Sequence, residues 1–401
     1  MSKFVKLSSI AELTVGFVGT MAKHYEDEGI PFLRSLNIKP FKIISDDMKY
    51  VSAEFSNSLS KSILHKGDVV IVRTGIPGTC CVVPAEYDGC NCSDVVIVHP
   101  NTELVNPHYL AAYINFWGQR QIQNNKVGAI QQHFNVHSAE EMLIFLPDIT
   151  EQEKIAKTIV ALNGKIENNF SVCVELEAMT KTLYDYWFTQ FDFPDENGKP
   201  YCSSGGEMVW NDQLKREIPK GWQVSSIGSV TRNYDSKRVP LSQNERDIMK
   251  GGIPYYGATG IMDYVNRHIF DGQYVLIAED GSVMDVKGNP IVQMIWGKTW
   301  VNNHAHVLQG CNGYSNELLY LLLQHIPVVK IMTGSIQKKI NQDNLNSYNI
   351  PQIPDPISQA FYENVKPMFE KIQSLQDEND ELTKLRDWLL PVLMNGQATV
   401  E

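Results

Sequence analysis

The chain lacks any run of 18 consecutive apolar residues, so no helix of membrane-spanning length and no membrane partner are expected. The opening residues Met1-Ser2-Lys3-Phe4-Val5-Lys6 carry no apolar signal core. Cysteine is sparse and odd in number, seven in 401 residues, which excludes a disulfide scaffold and fits a reducing, cytoplasmic setting. No glycine motif for a cofactor follows a first strand. Positive charge is also short: the net charge is -11, which argues at first against a nucleic-acid partner. Most of that excess is local. Segments 151–185, 190–218 and 360–390 together hold 19 acidic and 11 basic residues. The remainder is near neutral, and basic patches there can still meet phosphate.

What the chain does have is one plan written twice. Gly128-Ala129-Ile130-Gln131 returns as Gly334-Ser335-Ile336-Gln337, 206 residues later. At the same offset Asn135 matches Asn341, Lys165-Ile166 matches Lys371-Ile372, and Leu176 and Leu183 match Leu382 and Leu389. A repeat of this length means duplicated domains rather than a solenoid, whose repeats run to about 20–50 residues. Two similar modules point to a ligand with two similar halves.

Each copy runs from a β-rich module into a long helix. Val69-Val70-Ile71-Val72, Val95-Val96-Ile97-Val98 and Tyr274-Val275-Leu276-Ile277-Ala278 read as buried strands, with another near 291–295. Asn106-Pro107 opens a helix with proline in its first turn, and a second helix spans about 316–325. The pattern predicts modules over 1–149 and 219–356, long helices over 150–189 and 357–401 (the latter with a tail), and a Gly/Pro/Ser/Asp-rich linker over 190–218. Thr150 and Glu153 form a capping-box pattern. Ile155, Ile159, Leu162, Ile166, Cys173, Leu176, Leu183 and Trp187 make a heptad seam, interrupted by Asn169 and Thr180. Phe361, Val365, Met368, Ile372, Leu375, Leu382 and Leu389 make the second, interrupted by Asn379 and Arg386. Pro367 should mark a kink or the true helix start. The fold expected is α+β: two globular α/β domains, each followed by a long helix, the helices pairing as an antiparallel coiled coil.

Several patterns have bland explanations. Asn106-Pro107-His108-Tyr109 resembles the Asn-Pro-Pro-Tyr motif of amino-methyltransferases, but His108 stands at the second proline and a helix start accounts for it. Pro147-Asp148 with Glu151-Gln152-Glu153-Lys154 resembles a Mg-dependent nuclease motif, except that Gln152 replaces its second acid. His304 and His306 alternate and could share a strand face, yet no third ligand stands at clear spacing. Cys80-Cys81 with Cys90 and Cys92 is not a zinc-ribbon spacing, since adjacent cysteines cannot easily both chelate. No metal is expected.

Three stretches resemble the specificity (S) subunit of type I restriction–modification systems. Gly29-Ile30-Pro31-Phe32-Leu33-Arg34-Ser35-Leu36-Asn37-Ile38 is similar to the entry of a target recognition domain. Trp187-Phe188 through Phe191-Asp192-Phe193-Pro194, with Gly198-Lys199-Pro200-Tyr201 and Gly205-Gly206, resembles the family's central region. Ile253-Pro254-Tyr255-Tyr256-Gly257-Ala258-Thr259-Gly260-Ile261, Ala278-Glu279-Asp280-Gly281-Ser282 and Asn302-Asn303-His304-Ala305-His306 resemble a second recognition domain. The likeness implies two target recognition domains, each gripping a few base pairs of double-stranded DNA at a bipartite site, held apart by the paired helices. It implies docking of two methyltransferase (M) subunits and of restriction (R) subunits. The chain itself would be non-catalytic and bind no cofactor. S-adenosylmethionine, ATP and Mg would sit on partners with adenine-methyltransferase and ATP-dependent endonuclease activity. A helix of 35 residues is about 50 Å long, enough to set two readers one DNA turn apart, ~34 Å. The alternative is a coiled-coil adaptor that binds proteins without reading DNA sequence, and the net acidity fits it.

Readout requires Arg, Asn or Gln at base edges and Lys or Arg on phosphates. The candidates in the first domain are Arg34, Asn37, Arg73, Thr74, Lys126, Gln131, Gln132 and His133. Arg73-Thr74-Gly75-Ile76-Pro77-Gly78 is a strand entering a glycine loop, a good place to present an arginine. In the second domain they are Tyr256, Thr259, Arg267, Ser282, Gln337, Lys338 and Lys339, where Gln337-Lys338-Lys339 aligns with Gln131-Gln132-His133.

Overall fold

The buried apolar runs become the central strands of two sheets with one topology. The computed structural model describes residues 3–118, 121, 134–285, 287–334, 338–394 and 397. The chain divides into two compact units, residues 1–169 with 378–401, and residues 170–377.

In the first unit an antiparallel sheet runs in the order Ala11–Val15, Val95–Pro100, Val69–Val72, Cys80–Val82. Its two middle strands do not alternate apolar with polar because both faces are covered. Val69, Ile71, Val96 and Val98 enter one core, and Val70, Val72, Val95 and Ile97 enter another. A smaller sheet of Lys49–Val51, Ile30–Leu33 and Asn91–Cys92 contains one parallel pair, Ile30–Leu33 with Asn91–Cys92. The adjacent thiols Cys80 and Cys81 point to opposite faces, one into each core, so they cannot share one ion. Cys80, Cys81, Cys90 and Cys92 are all buried, and burial pushes the Cys90 thiol up to about 11.

The second unit repeats this. Its main sheet runs Thr231–Asn233, Ala305–Gly310, Tyr274–Ala278, Val292–Ile295. Its smaller sheet again has one parallel pair, Lys250–Tyr256 with Lys298–Val301. The 206-residue offset has a structural cause downstream of the sheets. Asn135 and Asn341 cap the short helices Val136–Glu140 and Gln342–Ser347, accepting from Ser138 N at 2.8 Å and Asn344 N at 2.7 Å. The strands Leu143–Leu146 and Asn349–Gln352 follow, and the long helices Ile149–Tyr184 and Asp355–Met394 start in the same register.

Two expectations at the helix starts are corrected. Asp148 rather than Thr150 caps the first helix, its Oδ1 accepting from Glu151 N at 3.0 Å. Pro367 does not begin the second helix, which runs unbroken from Asp355 to Met394. The proline removes one helical donor there.

The seam residues turn inward. Ile155, Ile159, Val365, Ile372 and Leu375 are buried; Leu162, Ile166, Leu176, Leu183, Met368, Leu382 and Leu389 are half-buried. Within the first unit, Ile155 and Ile159 share a core with Leu390, Leu393 and Met394. Three of the four polar interruptions are bonded there: Asn169 Nδ2 donates to Asn379 Oδ1 at 3.0 Å, and Arg386 Nη1 to Asn163 Oδ1 at 3.0 Å, while Thr180, in the second unit, donates to Glu177 O within its own helix. Within the second unit, Cys173 packs with Ile372 and Leu375. Fully buried Phe361 is ringed by Tyr184, Trp187 and Phe188, with centroids 4.9–6.2 Å away. The stretch after the helix is ordered by aromatic stacking of Phe193 on Tyr201 and Trp222, and by buried Asp192, which accepts from Ser203 N at 2.7 Å.

Candidate nucleic-acid interface

In each unit the loops at one end of the main sheet are knitted together by backbone bonds, and seven of the ten candidates among the described residues sit on them. In the first, Arg73 N donates to Asp94 O (3.1 Å), Ser93 N to Leu33 O (2.9 Å) and Phe17 N to Cys92 O (2.7 Å). These bonds join the loops that follow strands Ala11–Val15, Ile30–Leu33, Val69–Val72 and Asn91–Cys92. Arg73 is half-buried, and its Nε donates to Phe134 O at 3.2 Å. That bond uses one of five guanidinium donors and anchors the side chain at the loop end. Gly75 and Gly78, at φ 87° and 92°, let the loop turn back, and Thr74 is half-buried on it.

Arg34 leaves the Ile30–Leu33 strand and donates through Nη2 to the Asp47 carboxylate at 2.9 Å. Lys49 and Arg34 together hold the Asp47 carboxyl down to about 2. Asn37 is a correction. It is fully buried, donating to Ile44 O (3.2 Å) and Asp46 O (3.0 Å) and accepting from Arg34 N (3.1 Å). It closes the 34–46 loop and offers nothing to a base edge. Lys126, Gln131, Gln132 and His133 lie outside the described residues.

The second unit repeats the weave. Glu279 N donates to His304 O (2.8 Å), Asn302 N to Tyr256 O (3.0 Å) and Ile340 N to Glu279 O (2.8 Å). Gln293 Nε2 donates to Ala258 O at 3.0 Å, fixing the hairpin that exposes Thr259. Ser282, Lys338 and Lys339 are exposed on neighbouring loops, and Lys339 lies 3.5 Å from Asp280. Two candidates stand apart. The half-buried Tyr256 packs against the core of Phe270, Tyr274 and Leu276. Arg267 is exposed on the connection 266–269 rather than on these loops. Gln337 lies outside the described residues.

Sequence reasoning missed the charged cluster beneath the second set of loops. Arg238 Nη1 reaches Glu279 at 2.6 Å, and its Nη2 reaches Asp235 at 3.4 Å. His306 bonds Asp235 through Nδ1 at 2.5 Å and Ile340 O through Nε2 at 2.8 Å. Asp235, Glu279 and His306 group their ligand atoms within 4.8 Å, but Arg238 already pairs with both carboxylates. His304 and His306 do not share a strand face, because the strand begins at Ala305 and leaves His304 in the turn before it. His304 bonds Asp280 instead, at 2.5 Å. At the opposite end of the first sheet, His65, Asp68 and His99 form a second such group, in which His99 Nδ1 lies 2.8 Å from Asp68.

Residues 2–177 and 219–384 each match the family described as Type I restriction modification DNA specificity domain. The chain belongs to that family. It is 28% identical over 280 residues to the MjaIX specificity subunit, of a type I restriction enzyme of Methanocaldococcus jannaschii, covering 65% of this chain and 62% of that one. It is 22% identical over 423 residues to the HindI specificity subunit of Haemophilus influenzae, covering 87% and 91%. The chain thus spans under two thirds of the archaeal relative's length and nine tenths of the bacterial one's. Its fold is like that of the S subunit of a type I restriction–modification system from M. genitalium, with a TM-score of 0.56, 16% identity and coverage of 98% and 96%.

Proposed function

We infer that the chain is the DNA sequence-recognition subunit of a type I restriction–modification complex, reading a bipartite site with one domain per half. The carrying observation is the repeated loop end: two sheets of one strand order gather equivalent loops by equivalent backbone bonds, yet present different side chains. An adaptor would not need one frame furnished with two chemistries. The long helices act as an antiparallel coiled-coil spacer and as the dock for two methyltransferase subunits. Their inward seams and the Asn169–Asn379 and Arg386–Asn163 bonds support this reading. Restriction subunits join that core. Methyl transfer and ATP-dependent cleavage belong to the partners, which carry S-adenosylmethionine, ATP and Mg. This chain contributes sequence choice.

The test is competition binding by the complex of this chain with its methyltransferase partner. Duplexes carrying the methylated motif should outcompete scrambled duplexes by at least 10³ at fixed salt, in the range of specific binders. Equal affinity for every duplex, with the complex intact, would replace the reading with the adaptor.

A further inference from the structure

The exposed loops of the second domain rest on the Asp235–His306–Arg238–Glu279 cluster, which has no counterpart among the described residues of the first. At the equivalent sheet position, paired with Ile71 as His306 pairs with Ile277, the first domain has Val96. His306 is 2% exposed, and both its ring nitrogens face acceptors: Asp235 Oδ2 and Ile340 O. A neutral imidazole has a single N–H. Two acceptor-only partners require two, so the geometry calls for the imidazolium. Asp235 is fixed in turn, accepting from Val307 N at 2.8 Å and from Asn233 Nδ2 at 3.0 Å. Burial alone would lower the pKa of His306, but Asp235, with Glu279 behind it, reverses this and holds it above the ordinary histidine value.

The other charged groups around the ring are few. Asp235 and Arg238 come from the turn after Thr231–Asn233, and Glu279 and Asp280 from the loop after Tyr274–Ala278. His304 comes from the preceding turn and Lys339 from the strand end that His306 holds. With the proton, His306 and Arg238 balance Asp235 and Glu279. Without it, a buried negative charge is left over and one of the two ring bonds is lost. The bond to Ile340 O ties the Lys338–Lys339 segment to the sheet, and Ile340 N simultaneously binds Glu279 O.

We propose that His306 is a positioning residue whose proton fastens the 338–340 segment and, through the Ile340–Glu279 backbone bond, the loop that carries Ser282 to the second domain, so that reading of the second half-site weakens as pH rises while reading of the first does not. The proposal rests on the DNA-reading assignment above. The sign follows from the bond: the fastening is complete when His306 is protonated and is lost as pH rises through its raised pKa.

The test uses the full chain with its methyltransferase partner. Affinity ratios between the cognate duplex and duplexes altered in one half are measured from about pH 6 to about pH 9, either side of the histidine range. Arg73→Ala assigns the halves to the domains. Discrimination in the second half should fall roughly tenfold, the worth of one charged hydrogen bond, and stay level in the first. His306→Gln should lower second-half discrimination at acid pH and abolish its pH dependence. Asp235→Asn should move the midpoint to lower pH. Flat profiles in both halves, parallel decline in both, or a wild-type profile in His306→Gln overturns the proposal. If His306→Gln does not fold, wild type and Asp235→Asn decide it. Hydrogen exchange at the Ile340 amide of the free chain, corrected for intrinsic pH dependence, separates the two assignments. Exchange that quickens as His306 deprotonates upholds the positioning even if no sequence preference is found; exchange indifferent to that titration overturns it.

Discussion

The carbonyl of Phe134 in the first domain and that of Ile340, 206 residues on, are held by different groups: the Arg73 guanidinium in one and the His306 ring in the other. Arg73 itself stands 206 residues before Glu279, and both give their backbone N–H to the turn ahead of the following strand, at Asp94 and His304. One backbone frame therefore carries opposite charge at the same place. The first domain leaves an arginine with donors to offer. The second buries its acid under Arg238 and His306 and sets Lys338 and Lys339 outside. Sheet order and backbone bonds hold the frame, so the side chains at its mouth are free to differ, as two readers of different half-sites require.

The comparison can be broken most forcefully at Arg238. Replacing it with alanine leaves Asp235 and Glu279 with one cation between them in a largely buried setting. The second unit should lose about 3–5 kcal/mol, as when one partner of a buried ion pair is removed. Chemical denaturation followed by circular dichroism would register it. Arg73→Ala removes a single bond to a carbonyl and should cost the first unit about 1 kcal/mol. Its larger effect is on DNA: discrimination at one base pair of one half-site should fall by about 1–3 kcal/mol, read by competition with single-base variants. Lys338→Ala and Lys339→Ala should weaken all duplexes alike, each lowering the slope of log affinity against log salt by about 1 if it meets a phosphate.

The smallest effect expected concerns the far end of the sheets. There the first domain pairs His99 with Asp68, where the second has Gln309 donating to Gln273 O at 2.9 Å. The hydrogen bond to Asp68 raises the pKa of His99 above its ordinary value. The stability it contributes is therefore present below the unfolded histidine value and is lost as pH rises through the raised one. His99→Gln should remove about 0.2–1 kcal/mol of pH-dependent stability from the first unit, and none from the second.

How far the sequence shows this depends on the range of each interaction. The strands at 69–72, 95–98 and 274–278 and the two helical seams are local patterns, and the structure has them where the patterns lie. The 206-residue offset marks the repeated run of cap, strand and long helix, all within one stretch of chain. The cluster at His306 was not legible, because Asp235 is 71 residues away and only the strand order brings it near. The His304–His306 alternation falls at this cluster but carries no sign of Asp235 or Arg238, which come from a distant turn. Asn37 misled because its residue type suits both a base edge and a closed loop, and only burial tells them apart.

The central claim is that the two domains read separately. Methylome sequencing of cells expressing this chain with its methyltransferase subunit tests it most directly, beside cells carrying Arg73→Ala or the Gln131-Gln132-His133 triple alanine change in the first domain, or Lys338→Ala with Lys339→Ala in the second. The account predicts a bipartite motif in which first-domain changes blur one half alone, while the lysine changes lower methylation without altering either half. A contiguous motif, or one whose two halves degrade together under first-domain changes, would contradict it.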